Sequence, residues 1–215
     1  MTAPRTRRRS KLAPDPDVHR AIVEAATEAL REHGVRGLSV ATVLEGAEIS
    51  TRAFYRHFES KDQVVAAAFL ELARGERRRL QRRMAKAANP VEAVAAWIDG
   101  RLDLAFDEHI RSDLRRLSLE ALSQVFTSPE LIQPAFEEML KPLTEQLHRG
   151  LSTGVFHDIE PVSEARSIQA VVWASTERHW AAGDCARSEV RRRAVRFCLR
   201  GLGVRAATIN DLVRK

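Results

Sequence analysis

The chain is poor in cysteine and in motifs for catalysis, and it has no long apolar run. Its 215 residues contain 2 cysteines, Cys185 and Cys198, too few for a disulfide framework and without Cys-x-x-Cys spacing. No apolar run approaches the ~20 residues that a membrane span requires. The basic N-terminus is not followed by the hydrophobic segment of a signal peptide. These absences predict a cytoplasmic protein with reduced thiols and no membrane partner.

Metal, cofactor and enzyme motifs are equally scarce. There is no Walker or Rossmann glycine pattern, and the histidines at 148, 157 and 179 lack a metal-ligand spacing. We therefore expect no metal and no cofactor. One match, Gly-Leu-Ser-Thr-Gly at 150–154, fits the Gly-x-Ser-x-Gly pattern of serine hydrolases, with Ser152 as nucleophile. That pattern needs a preceding strand, whereas a helix is predicted to end at Gly150, so we favour a helix end over an enzyme.

Positive charge, by contrast, is plentiful. The formal net charge is +6 and the pI is about 10.0, which favours nucleic acid or another anionic surface as partner. Residues 1–17 contain Arg5, Arg7, Arg8, Arg9 and Lys11 together with prolines, and they have almost nothing to bury. This composition predicts a disordered basic arm.

The rest of the chain has helical periodicity, and no alternating run bounded by turns predicts a strand. A first helix is predicted from Val18 to about Gly34, and a second from Ser39 to Ala47. Ser50 is placed to cap a third helix that reaches about His57. The fold class is therefore all-α, with an N-terminal three-helix domain at 18–63 that contains a helix-turn-helix and a larger helical domain at 64–215.

The third helix lies in the stretch STRAFYRHFESKDQ, which concentrates the scarce aromatic residues. Phe54 and Phe58 are four residues apart and should pack against the preceding helices, whereas Tyr55 should point outward. Ser60 and Gln63 have the spacing of a capping box that opens a long fourth helix. In a helix-turn-helix, the second short helix meets the base edges of the major groove.

Residues 38–65, LSVATVLEGAEISTRAFYRHFESKDQVV, resemble the DNA-binding domain of the TetR family of transcriptional repressors. The match extends over 18–63. Two positions depart from the family: Glu48 stands where glycine is usual in the turn, and Leu44 where a small residue is frequent. A glutamate at that turn predicts an altered backbone. The residues that carry the resemblance are Ser39, Tyr55, His57, Phe58, Ser60, Lys61 and Asp62.

Side-chain chemistry and this resemblance together suggest DNA contacts. Arginine and threonine suit base edges, which assigns base contacts to Thr51, Arg52 and Arg56. Hydroxyl, imidazole and ammonium groups suit phosphate oxygens. In the basic arm, either the arginines enter the minor groove or the arm is a solvated tail. The residues assigned to phosphate are Ser39, Ser50, Tyr55, His57 and Lys61, and those assigned to the minor groove are Arg7, Arg8 and Arg9.

The resemblance implies that residues 64–215 bind a small effector and form a homodimer through the last two long helices, about 162–182 and 184–202. The predicted dimer faces are Ile168, Val171, Val172 and Ser175 on one helix and Val190, Ala194, Phe197 and Gly201 on the other. An effector pocket should be mostly apolar. Its candidate residues are Trp97, Phe106, Phe126, Phe136 and Trp173.

A basic run at 74–83 is interpreted as a solvated helix face, with attraction of an anionic effector as the alternative. The function expected from all these features is that of a ligand-responsive transcriptional regulator, most simply a repressor. It would bind a pseudo-palindromic operator in double-stranded DNA as a dimer and be released by a small hydrophobic effector, with an anionic one as a variant. The alternatives are a non-specific architectural DNA-binding protein and the serine hydrolase already considered.

Overall fold

The computed structural model of this chain describes residues 15–107, 112–182 and 186–214, without the side chains of 112–115, 122, 125–127 and 182. Every element within those ranges is helical, which confirms the all-α fold class. Among these residues, each helix is too short or too polar to cross a bilayer. The helices are α1 Pro16–Gly37, α2 Val40–Gly46, α3 Thr51–Phe54, α4 Lys61–Met84, α5 Pro90–Phe106, α6 Ser112–Thr127, α7 Pro129–Ser152, α8 Pro161–Ala182, α9 Arg187–Gly201 and α10 Ala206–Arg214.

The chain forms two compact units, divided within α4 between Ala68 and Phe69. In the first unit, α1 begins at Pro16, inside the predicted arm, because the Asp15 carboxylate accepts a hydrogen bond from the amide of Asp17 and caps the helix. The predicted stop at Gly34 appears as a break within α1, where φ is 70°. The core of this unit contains Ile22, Leu30, Leu38, Val43 and Phe54.

Helix α5 is the central element of the second unit and packs against α7, α8 and α9. Asn89 caps it by accepting a hydrogen bond of 3.0 Å from the amide of Glu92, as the Asn-Pro-x-Glu pattern predicts. Trp97, Ile98 and Leu102 on this helix are fully buried. Helix α10, which packs on α9, was not predicted from the sequence.

The Gly-x-Ser-x-Gly match lies at the end of α7. The Ser152 hydroxyl donates to the carbonyl of Arg149 at 2.9 Å, as a residue of the last helical turn. A Cβ on Gly150 would lie 2.1 Å from the ring of Phe156, which is fully buried. The first glycine of the motif is therefore needed for packing of an aromatic ring. The serine is the last residue of a helix, whereas the hydrolase pattern requires a strand before it.

Buried ion pairs join α5 to its neighbours. The side chain of Asp103 is 10% exposed. Its carboxylate accepts hydrogen bonds from the guanidinium groups of Arg83 at 2.5 Å and Arg187 at 2.7 Å. Arg79 lies 3.6 Å from the same carboxylate and donates to the Gly100 carbonyl. One acidic side chain thus holds arginines of α4 and α9.

This arrangement corrects the interpretation of the basic run at 74–83 as a solvated face. Arg77 pairs with Glu138 of α7 at 2.5 Å, and Arg79 and Arg83 pair with α5 as described. The spacing of the arginines gave no sign of these partners, because the acids lie in distant parts of the sequence. Arg74, Arg78 and Arg82 keep the expected exposed position, and the first two pair with Glu71 of their own helix.

We expect Asp103→Asn to lower the free energy of unfolding by about 3 kcal/mol, because removal of one partner from a buried ion pair leaves the others uncompensated. Asp211→Asn is the matched control, since its pair with Arg214 has side chains 74% and 70% exposed. That change should cost less than about 0.5 kcal/mol. Urea denaturation followed by circular dichroism measures both; equal effects would contradict the special weight given to Asp103.

Candidate nucleic-acid interface and internal cavity

Two serines fix the ends of the short helices α2 and α3. The Ser39 hydroxyl accepts a hydrogen bond of 3.0 Å from the amide of Thr42, and the Ser50 hydroxyl accepts one of 3.3 Å from the amide of Ala53. Both side chains remain exposed. Each predicted cap is thus confirmed, and each hydroxyl lies at a helix N-terminus, where free amides favour an anion.

The aromatic residues divide as the helical spacing predicts. Phe54 and Phe58 are 0% and 5% exposed, whereas Tyr55 is 55% exposed. Phe58 also stacks on the ring of His19 of α1, with ring centroids 4.9 Å apart. Phe54 and Phe58 thus anchor α3 in the first unit, while the phenol of Tyr55 remains in solvent.

Helix α3 is shorter than predicted. It ends at Phe54, and residues 55–57 continue as tightened turns, in which the amides of Arg56 and His57 bond carbonyls three residues back. Thr51, Arg52 and Arg56 are exposed on this element. The structure therefore presents the three residues assigned to base contacts at one surface segment, together with Tyr55.

The two remaining phosphate candidates have partners inside the unit. The ammonium of Lys61 donates to the carbonyl of Val35 at 3.2 Å, which leaves two of its three hydrogens for another acceptor. His57 is half-buried, with its ring centroid 6.1 Å from that of His19. Burial, followed by the charges of His19 and Arg56, lowers the pKa of His57. The neutral form of its imidazole is therefore favoured at physiological pH.

The turn between α2 and α3 is closed by an unusual residue. Glu48 has φ of 53°, in the left-handed region that favours glycine. Its amide donates to the carbonyl of Glu45 at 3.2 Å, and the amide of Ile49 donates to that of Leu44 at 3.1 Å. This is the Schellman pattern that glycine ordinarily completes. Glutamate here adopts the left-handed conformation that glycine ordinarily supplies at such a helix end.

The second unit contains a cavity of about 540 Å³ between α4, α5, α6, α7 and α8. That volume is within the range of small-molecule sites. Its walls are mainly apolar, and its charged members are Glu76, Arg101, Glu137 and Arg166. The apolar lining includes Phe69, Leu72, Leu104, Leu117, Phe136 and Trp173.

The charged wall residues are paired with one another. The Glu76 carboxylate accepts hydrogen bonds from the guanidinium groups of Arg101 and Arg79, each at 2.8 Å. The carboxylate of Glu137 lies 3.6 Å from the guanidinium of Arg166. Burial alone raises the pKa of Glu76, yet hydrogen bonds from Arg79 and the charge of Arg101 bring it below 4.5. The stability that this carboxylate contributes is therefore present above its ordinary pKa and is lost as the pH falls through the lower folded pKa.

The structure distributes the five predicted pocket residues differently. Phe136 and Trp173 line the cavity. Trp97 is fully buried in the core of the second unit and does not line it, and Phe106 packs on His179 with ring centroids 3.9 Å apart. The side chain of Phe126 lies outside the described residues. Polar wall residues such as Arg101 and Gln169 were not predicted, because nothing in their local sequence distinguishes them from other helical residues.

The predicted dimer faces also divide. Ile168, Val172, Val190 and Ala194 are at most 7% exposed within the single chain, so they serve its own core. Phe197, in contrast, is 67% exposed, the largest exposure of a large apolar side chain among the described residues. Gly201, one turn later on α9, is exposed as well.

Comparison with known families gives a match to the N-terminal part of the chain. Residues 22–68 match the family model described as "Bacterial regulatory proteins, tetR family". The matched segment contains the caps, the buried aromatic pair and the exposed segment described above. Comparison with curated protein sequences gives no match. Arg7, Arg8 and Arg9 of the predicted minor-groove arm lie outside the described residues.

Solved structures resemble nearly the whole chain. RolR in complex with resorcinol has a TM-score of 0.66 at 18% identity, covering 92% of this chain and 93% of its own. FadR from Bacillus subtilis in complex with stearoyl-CoA has a TM-score of 0.61 at 17% identity, covering 85% and 98%. A putative TetR-family regulator from Mesorhizobium loti has a TM-score of 0.61 at 18% identity, covering 86% and 95%. The fold is shared at these low identities.

We expect Glu48→Gly to stabilise the first unit by roughly 1 kcal/mol, because it removes the left-handed strain of a side-chain-bearing residue. Asp158 has the same φ of 53° in the second unit and is the matched control. Aspartate bonds locally in that conformation, so Asp158→Gly should gain less. Thermal unfolding measures both variants. A fall in melting temperature for Glu48→Gly would contradict the assigned strain.

For DNA binding, we expect Tyr55→Phe to weaken affinity for all duplexes alike, since a lost phosphate contact carries no sequence information. Arg52→Ala should cost about 1–3 kcal/mol and relax the preference at one base position. Binding to a randomised duplex library, followed by sequencing, measures both effects. Arg31→Ala is the control, because Arg31 pairs with Glu28 on α1. An unchanged base preference in Arg52→Ala would remove its role in base reading.

Proposed function

Because this chain carries the N-terminal domain of the tetR family of bacterial regulatory proteins, we propose that it is a ligand-responsive transcriptional repressor that binds operator DNA as a homodimer. The observation that carries the proposal is the set of exposed side chains on and directly after the short helix α3, namely Thr51, Arg52, Tyr55 and Arg56. Its phenol, hydroxyl and guanidinium groups suit phosphate and base edges. The buried pair Phe54 and Phe58 fixes their position in the unit.

The second unit supplies the response to a ligand in this proposal. Its cavity of about 540 Å³ has the size and apolar character of a small-molecule site. Two neighbours of the same fold hold ligands, resorcinol in one and stearoyl-CoA in the other. A ligand changes operator affinity only by its difference in affinity for the two conformations of the repressor. Effector binding would favour the conformation that fits the operator poorly.

Dimerisation pairs two copies of the DNA-binding unit on half-sites about one helical turn, or a multiple of it, apart. The surface around Phe197 and Gly201 of α9 is the proposed interface. Phe197 is 67% exposed, and the burial of a phenylalanine side chain is worth about 1.5–3 kcal/mol. A self-complementary surface of this kind gives a two-fold dimer, and with it a pseudo-palindromic operator.

Nuclease footprinting on the DNA that flanks the protein's own gene, at near-physiological salt, tests this function. A protected and roughly palindromic patch is the expected result. Uniform weak protection that disappears as the salt concentration rises would instead indicate the architectural alternative, since phosphate contacts alone impose that dependence.

We expect Phe197→Glu to convert the dimer to a monomer and to reduce operator affinity at least tenfold, because each half-site is then bound separately. Leu151→Glu is the matched control: Leu151 is also an exposed apolar residue, at 39% exposure, but at the end of α7. Size-exclusion chromatography with light scattering gives the oligomeric state. A Phe197→Glu protein that stays dimeric would place the interface elsewhere.

A further inference from the structure

Two buried polar atoms in the wall of the cavity have no hydrogen-bond partner among the residues that the structure describes. They are Nε of Arg101 on α5 and Oε1 of Gln169 on α8. Arg101 is 7% exposed, and among the described residues its ion-pair partner is Glu76, reached through Nη1. A buried polar atom without a partner costs free energy. A ligand group that both accepts and donates a hydrogen bond could therefore satisfy this donor and this acceptor.

The two atoms belong to neighbouring side chains. Arg101 and Gln169 both line the large cavity and also a recess of about 10 Å³ between α5 and α8, whose walls include Trp173 and Thr176. That volume is close to the minimum for a single water-sized group. The hydroxyl of Thr176 already donates to the carbonyl of Val172 at 2.9 Å. Nε of Arg101 and Oε1 of Gln169 are thus the unpartnered donor and acceptor of the two side chains that this recess shares with the large cavity.

The charge of the walls restricts what that group can be. The acids Glu76 and Glu137 are balanced by Arg101 and Arg166, with which they pair. An anionic head group near Arg101 would compete with a carboxylate 2.8 Å from the same guanidinium. A cationic head group would leave Nε of Arg101 without an acceptor and would add a second positive charge. Both ions would also lose their hydration in an apolar cavity.

We propose that the effector is an uncharged, largely apolar molecule with one hydroxyl group, a phenol or an alcohol, bound at this recess. The hydroxyl oxygen accepts from Nε of Arg101, and the hydroxyl hydrogen is donated to Oε1 of Gln169. The apolar part occupies the cavity beside Phe136 and Trp173. This inference rests on the proposed function of the cavity as an effector site, and it replaces the anionic effector suggested by the basic run at 74–83.

Four probes of matched shape test the proposal: para-butylphenol, butylbenzene, para-butylanisole and para-butylbenzoate. The phenol donates and accepts, the anisole only accepts, butylbenzene does neither, and the benzoate is an anion at neutral pH. Isothermal titration calorimetry on the full chain without DNA should give the phenol an affinity about tenfold above butylbenzene and the benzoate. The anisole should be intermediate. Equal or tighter binding of the benzoate, or no binding of the phenol, overturns the proposal.

Variants assign the two contacts separately. In Gln169→Leu, affinity for the phenol should fall about threefold, to that of the anisole, while the anisole is unaffected. The same variant should melt at a higher temperature than the parent, because it removes an unpartnered buried acceptor. Arg101→Lys keeps the charge beside Glu76 but removes Nε, so the phenol and the anisole should both bind more weakly.

The control is Gln133→Leu, another amide in the wall, whose Nε2 donates to Glu137 at 2.9 Å. Its preference for the phenol should equal that of the parent. An unchanged preference in Gln169→Leu would overturn the proposal, since a water molecule would then satisfy the glutamine. Calorimetry without DNA separates this result from failure of the regulatory function: phenol binding without operator release would contradict the proposed function and leave the head-group contact standing.

Discussion

The second unit depends on a buried carboxylate that pairs with arginines of two other helices. Asp103 holds Arg83 of α4 and Arg187 of α9, and Arg79 lies within 3.6 Å of it. Gly100, one turn earlier on α5, allows this close approach, because a Cβ there would lie 2.7 Å from Leu80 of α4. Since isolated buried charges are costly, the three helices are held in one arrangement in which every charge finds its partner. The walls of the cavity are built on that arrangement through Arg79, which bonds Glu76 as well.

The first unit could be predicted from the sequence because its signals are local. The hydroxyls of Ser39 and Ser50 cap the helices that follow them, and each accepts its hydrogen bond from an amide three residues later. The burial of Phe54 and Phe58 and the exposure of Tyr55 follow from helical spacing alone. The capping box was predicted less accurately: the amide of Gln63 does bond Ser60, but the Gln63 side chain accepts from the amide of Glu59.

The cavity could not be predicted in the same way, because its walls come from five helices that are far apart in the sequence. Aromatic content identified Phe136 and Trp173 but equally Trp97, whose ring fills the core. The pairing of the arginines with Asp103 and Glu138 could not be predicted either, because the partners are far apart in the sequence. Which arginine is paired, and which polar atom lacks a partner, is decided by tertiary contacts and not by local sequence.

The positions of the arginines have a further consequence for experiments at different ionic strengths. Arg79 and Arg101 form pairs whose side chains are 27% or less exposed, whereas Arg52 and Arg56 are exposed on the first unit, where we propose that DNA binds. Mobile ions screen exposed charges strongly and buried pairs much less. Added salt should therefore release nucleic acid through its effect on counterions while the second unit remains folded. A change of ionic strength is reversible, and it can separate the affinity of this protein for nucleic acid from the stability of its second unit.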